Sequence, residues 1–200
     1  MTKNYIFDFG QVIVRFDTYF MTSVYVKETE NIKLVEQVVF DRLYWDKLDA
    51  GTITDTQVKE GICSRLPYKL HKAACLVYDN WYYNLPFVNG MVELLSEIKA
   101  GGGKLYLLSN ISKGFAENYK NVMALKSLFE IFDGLVFSAP IGLTKPDKEI
   151  YDHILLKYDL KPEETVFIDD NINNILGARA SGIKGYLFDG DVSRLRGELV

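Results

Sequence analysis

Five short apolar runs, rich in β-branched and aromatic residues, most constrain what this chain can fold into: Tyr5–Phe7, Lys104–Leu108, Leu135–Phe137, Thr165–Ile168 and Tyr186–Phe188. Short runs of this kind, bounded by turn and helix signals, read as buried strands. Helical patterns separate the later ones. Val88 to Ala100 repeats Val92, Leu95 and Ile98 and ends at Gly101-Gly102-Gly103, a strong C-terminal stop. Lys148 to Tyr158 puts Ile150, Ile154, Leu155 and Tyr158 on one face, and a helix-like stretch from Ile172 to Ala180 stops at Gly182. Strands alternating with helices predict an α/β fold built on a parallel sheet with crossover connections.

The interval from about Phe16 to Leu85 has no convincing strand. Val35, Val38, Val39 and Leu43 are spaced as one helix face, and Asp55–Leu66 and Lys69–Tyr82 read as further helices, the first begun by Thr54 as N-cap. Residues 16–85 are therefore expected to form an α-helical domain inserted after the first strand, with residues 1–15 and 86–200 forming the sheet domain. No internal repeat or low-complexity stretch interrupts either part.

Four segments carry chemistry at or just past strand ends: Ile6-Phe7-Asp8-Phe9-Gly10, Leu107-Leu108-Ser109-Asn110, Thr144-Lys145-Pro146 and Val166-Phe167-Ile168-Asp169-Asp170-Asn171. In an open parallel sheet such ends converge on one crevice, where ligands bind. A carboxylate, a hydroxyl, an ammonium and an acidic pair gathered there suit phosphoryl transfer. Asp8 can attack phosphorus, forming an aspartyl-phosphate that water then hydrolyses. Ser109 and the backbone N–H groups near Asn110 can stabilise a phosphoryl oxygen. Adjacent Asp169 and Asp170 repel unless donors or a cation hold them, and Mg²⁺ suits a small cluster of Asp8, Asp169 and Asp170. Each feature alone has an ordinary explanation: a turn acid, a turn or cap, a solvated lysine, a capping pair. Their combination carries the functional expectation.

These four segments, in this order, resemble the haloacid dehalogenase superfamily of aspartate-nucleophile hydrolases. The resemblance covers nearly the whole chain, and the Gly-x-x-Lys-Pro form of its third motif is matched by Gly142-Leu143-Thr144-Lys145-Pro146. It implies a doubly wound α/β core with an α-helical cap after the first strand. It also implies a catalytic Lys145 that neutralises Asp8 and the transferring phosphoryl group, and a Gly10 carbonyl that helps hold Mg²⁺. Measured back from Gly182, Asp170 falls where the family's metal-binding aspartate lies and Asn174 where its second acid lies. Asp170 is expected to bind the metal directly, with Asp169 either beside it or behind it.

One departure matters. Most phosphatases of the family carry a second aspartate two residues after the first, which protonates the leaving group. This chain has Gly10 there, as does a branch that includes sugar-phosphate phosphatases. General acid help contributes about 10²–10⁴-fold, so its absence bears on rate and substrate, unless another residue donates the proton. The implied activity is Mg²⁺-dependent hydrolysis of a small phosphomonoester, with a sugar phosphate preferred by analogy. Two alternatives are a metal-free dehalogenase, in which the aspartate attacks carbon, and a phosphate-binding or regulatory relative that has lost turnover.

Composition narrows the setting. Net charge is −4 and no basic tract of five or more residues occurs, which speaks against nucleic-acid or membrane-surface binding. No apolar run reaches the roughly 18 residues of a membrane span. The chain enters a strand at once after Met-Thr-Lys-Asn, so no leader is drawn and a cytoplasmic monomer or dimer acting on a small phosphorylated metabolite is expected. Cys63 and Cys75 read as reduced thiols. His71, His153 and Arg15 read as packing or surface residues, while Trp45, Trp81, Tyr82 and Tyr83 belong to the helical insertion, as its own packing or as a sugar-binding wall.

Overall fold

A computed structural model describes residues 2–200. The elements run β1 (Asn4–Phe7), α1 (Thr18–Tyr25), α2 (Thr29–Val39), α3 (Arg42–Asp49), α4 (Asp55–Ser64), α5 (His71–Asn80) and α6 (Met91–Ala100). They continue with β2 (Lys104–Ser109), α7 (Lys113–Asn118), α8 (Met123–Phe129), β3 (Gly134–Phe137), α9 (Ser138–Ile141), α10 (Lys148–Lys157), β4 (Thr165–Asp169), α11 (Ile172–Ala180), β5 (Lys184–Leu187) and α12 (Val192–Leu199). The strands form one sheet in the order β3-β2-β1-β4-β5, and every pair is parallel. The chain winds outward from β1 in one direction, then returns to its other side, so the switch point lies between β1 and β4.

Strand period builds two cores. Tyr5, Phe7, Leu105, Leu107, Val166 and Ile168 face one side, packed with Leu94, Leu95 and Ile98 of α6 and Leu195 of α12. Ile6, Tyr106, Leu108 and Phe167 face the other, against Ile150, Tyr151 and Ile154 of α10 and Ile175 of α11. Burying each large side chain is worth about 1.5–3 kcal/mol, and both faces contribute. Helices α2 to α5 hold a third core of their own, including Val35, Val38, Val39, Leu48, Val58, Ile62 and Val77.

Several local expectations shift. The single helix face through Leu43 breaks at Phe40, because Asp41 caps a new helix by accepting from the Leu43 N–H. Leu43 is left 53% exposed. Thr54 does cap α4, with a reciprocal bond from Gln57. The last strand begins at Lys184 rather than Tyr186, and α7 and α8, unmarked by strong periodicity, fill the connection between β2 and β3. Pro146 stands before the α10 N-cap, Asp147, after a cis bond from Lys145.

Candidate active site

Register sets the strand-end residues level with one another. Phe7 pairs with Leu107 on one side and Ile168 on the other, and the Asp8 N–H donates to the Ile168 carbonyl at 2.9 Å. Asp8 and Asp169 therefore emerge side by side across the switch point, and Ser109 closes β2 beside them. All three are buried.

Lys145 arrives from the loop between α9 and α10. Asn110 grips its backbone at both ends, accepting from the Lys145 N–H at 2.8 Å and donating to its carbonyl at 2.9 Å. The expected substrate-binding Asn110 thus devotes its side-chain amide to holding Lys145. The ammonium lies 2.7 Å from Asp8 Oδ1 and 2.8 Å from Asp169 Oδ2, with the side chain only 2% exposed. It also sits over the Phe167 ring.

Asp169 is fully enclosed. Besides Lys145, it accepts from the Asn171 N–H at 2.8 Å and from Asn174 Nδ2 at 3.0 Å on both oxygens. Asn174, whose carbonyl is bonded by Tyr151 at 2.7 Å, is an amide that clamps a carboxylate; an acid there would repel it. Asp170, the next residue, is exposed at the cleft, and carboxylate oxygens of Asp8, Asp169 and Asp170 all lie within 4.8 Å of one another.

Two buried carboxylates against one ammonium leave excess negative charge in a dry place. Burial pushes the Asp8 carboxyl up to about 7, with Lys145 opposing and Asp169 reinforcing the rise. Asp170, though exposed on its outer side, is partly desolvated in the cleft, and this and the adjacent Asp169 raise its carboxyl. Burial alone would lower the Lys145 ammonium, but Asp8 and Asp169 outweigh it and hold the group above the ordinary lysine range. The Ser109 hydroxyl has only a long contact, 3.4 Å to the Asn110 carbonyl, and can turn toward a ligand.

Gly10 lines the same cleft, of about 600 Å³. Backbone freedom is not what Gly10 supplies: its φ is not left-handed, and a Cβ would meet nothing within 4 Å. The tight turn uses Gln11 instead, at φ 58°.

The opposite wall comes from the helical region: Trp45 and Trp81, which the sequence offers as a candidate sugar-binding wall, stand in it, whereas Phe16, Phe40, Arg42 and Asp49 carry no motif. Phe16, Phe40, Trp45 and Trp81 form a cluster of rings with centroids 5.3–5.7 Å apart, and Arg42 and Asp49 complete it. The Trp45 indole N–H donates to the Val39 carbonyl at 2.7 Å, so the ring offers the cleft its apolar face. Arg15 is exposed and does not line the cleft, nor do Tyr82, Tyr83, His71 or His153. His71 instead pairs with the Leu66 carbonyl at 2.9 Å, and the two cysteines are free thiols with Sγ atoms 3.9 Å apart. Helix α3 carries Arg42 in its first turn and Asp49 in its last, each at the end the helix dipole disfavours, although its N-cap Asp41 and its last-turn Lys47 follow the dipole.

The doubly wound parallel sheet thus gathers an aspartate, a serine, a lysine and an acidic pair at its strand ends. Residues 5–182 match the haloacid dehalogenase-like hydrolases, and the chain belongs to that family. Among curated proteins it is 28% identical over 183 residues to a sesquiterpene phosphatase of Aspergillus oryzae, covering 92% of this chain and 88% of that one. It is 29% identical over 187 residues to a D-ribitol-5-phosphate phosphatase of Bacteroides thetaiotaomicron, covering 88% and 86% of the two chains. A haloacid dehalogenase family enzyme from Bacteroides thetaiotaomicron, solved with magnesium and inorganic phosphate, shares the fold with a TM-score of 0.71 at 22% identity, covering 98% of this chain and 99% of that one. Among the described residues no helix is long and apolar enough to cross a membrane.

Proposed function

We propose that this hydrolase is a Mg²⁺-dependent phosphatase of a small phosphomonoester, working through an aspartyl-phosphate on Asp8. The observation that carries the reading is Lys145, buried and bonded to both Asp8 and Asp169 at the strand ends. An ammonium so held offsets the charge of the nucleophile and of an incoming phosphoryl group at once. Ser109 would donate to a phosphoryl oxygen. Asp169, saturated by Lys145, Asn171 and Asn174, would keep the ammonium aimed at Asp8.

The donor set fits Mg²⁺: three carboxylates with oxygens within 4.8 Å, and a net negative balance that a divalent cation corrects. Asp8, the Gly10 carbonyl and Asp170 would hold it, with Asp169 behind them because its oxygens already accept from protein donors. The metal would supply charge stabilisation for the phosphoryl oxygens. The same excess of carboxylate charge disfavours the dehalogenase alternative, whose carboxylate substrate it would repel.

In this reading residues 16–85 act as a cap over a core of residues 1–15 and 86–200, and the helical wall selects the alcohol. A sugar phosphate suits the polar margin of Arg42, Thr18 and Gln11. The ring cluster of Phe16, Phe40, Trp45 and Trp81 favours a second reading, a monophosphate of an apolar, terpenoid-like alcohol, as the Aspergillus relative's name suggests. Phosphate release from a panel of sugar, nucleoside and isoprenyl monophosphates, with Mg²⁺ and with EDTA, tests both. Turnover in EDTA equal to that in Mg²⁺, or none on any member, would sink the proposal.

A further inference from the structure

We propose that Asp49, on the last turn of α3, is the general acid that protonates the leaving oxygen, a role for which Gly10 has no side chain. The inference rests on the aspartyl-phosphate reading above. Asp49 lines the cleft that holds Asp8, Ser109 and Lys145, but from the helical wall, where the alcohol portion of a phosphomonoester bound at Asp8 would lie.

Its position is fixed by the core. Ser138, the first residue of α9, accepts from the Ile111 N–H at 2.8 Å and donates to the Asp49 carbonyl at 2.6 Å. One hydroxyl thus ties the end of α3 to the chain just past β2. Two residues on, Gly51 adopts φ 69°, and a Cβ there would come within 2.6 Å of the Ala139 carbonyl. Only glycine lets the chain after Asp49 approach α9 this closely.

The carboxyl itself is left without a protein partner. Among the described residues it makes no hydrogen bond or ion pair, while Arg42, on the same helix, pairs with Asp46 at 2.9 Å. Its site at a helix C-terminus further disfavours the ionised form. Asp49 is half-buried, and the desolvation it meets at the cleft pushes it up to about 7, with Asp46 and Asp8 adding to the rise and Arg42 and Lys145 opposing it. α9, packed against this end of α3, brings no titratable group. A carboxyl that keeps its proton near neutrality can donate it.

The step balances. An Asp8 oxygen forms the bond to phosphorus as the bond from phosphorus to the alcohol oxygen breaks. That electron pair leaves on the alcohol oxygen, which takes the Asp49 proton. In the second half, Asp49, now a carboxylate, takes a proton from the water that attacks the aspartyl-phosphate, so both the acid and Asp8 are restored.

The test compares butyl phosphate, phenyl phosphate and p-nitrophenyl phosphate in single-turnover assays with Mg²⁺, using wild type, Asp49→Asn and Asp49→Asn with Gly10→Asp. The acid matters most where the leaving group is poorest. Asp49→Asn should slow butyl phosphate by about 10²-fold or more and p-nitrophenyl phosphate by less than about fivefold, steepening the dependence on leaving-group pKa. Gly10→Asp, placed where a Cβ meets nothing within 4 Å, should restore the shallow dependence. Equal slowing of all three substrates, or no slowing, would overturn the assignment to Asp49. A wild type as slow as Asp8→Asn on every substrate would instead sink the phosphatase reading beneath it.

Discussion

The two walls of the cleft are built on opposite principles. On the sheet wall, the two most buried charges are held by several fixed partners: Asn110 grips both backbone groups of Lys145, and Asp169 accepts from Lys145, Asn171 and Asn174. On the helical wall, rings dominate, the Trp45 donor is turned inward to Val39, and the Asp49 carboxyl has no partner among the described residues. The contrast separates two tasks. A wall of satisfied, buried charges suits one invariant group, the phosphoryl, whereas apolar rings and one unpaired acid suit a leaving group that varies. In the proposed reaction the sheet carries the chemistry at phosphorus and the helices choose and release the alcohol.

The largest effect should come from the sheet wall. Asp8→Asn keeps the side-chain shape and removes the attacking charge, so turnover should fall by at least about 10⁴-fold on every substrate, with the circular dichroism spectrum retained. Wild-type rates in the purified variant would abolish the division of labour.

Next is the acidic cluster. Mg²⁺ should raise the thermal midpoint of the wild type relative to EDTA, because binding to the native state stabilises it by mass action. Asp170→Ala should erase that gain, while Trp45→Ala, on the other wall, should leave it intact. Loss of the gain in both variants would mean that the two walls do not act separately.

A smaller effect should follow from the rings. Trp45→Ala should change kcat/KM for an apolar monophosphate by about tenfold, or about 1.4 kcal/mol, with a much smaller change for p-nitrophenyl phosphate. A uniform loss across substrates would place Trp45 in folding rather than in selection.

The smallest concerns stability alone. Asp49 rises from an ordinary 3.8 to about 7 in the fold, so the native state holds this proton more tightly than the unfolded chain. Its contribution is fully present below the unfolded value and is lost as pH rises through about 7. Asp49→Asn should therefore match the wild-type thermal midpoint at about pH 3 and exceed it at about pH 8. A midpoint lower than wild type at pH 8 would show that the ionised carboxylate has a partner in solution.

Much of the sheet wall was legible in the linear chain. Strands buried on both faces must be apolar throughout, so β1, β2 and β4 announce themselves, and parallel topology then brings Asp8, Ser109 and Asp169 to one edge without further information. Caps are equally local, as Thr54 with Gln57 illustrates. Helices were harder where short: α7 and α8 gave little period to detect, and the face drawn through Leu43 overran the break at Asp41.

The partners of these residues belong to another category. That Asn110 grips Lys145, and that Asn174 clamps Asp169 rather than serving as a vacant acid position, depends on how loops fold back onto the sheet. The helical wall depends on it still more. Asp49 reaches the cleft because Ser138, 89 residues away, bonds its carbonyl, and because Gly51 permits contact with α9. Strand periodicity and capping act over a few residues and leave a mark in composition and spacing. The meeting of α3 with the sheet edge is set by packing across the whole chain, which neither strand period nor capping encodes.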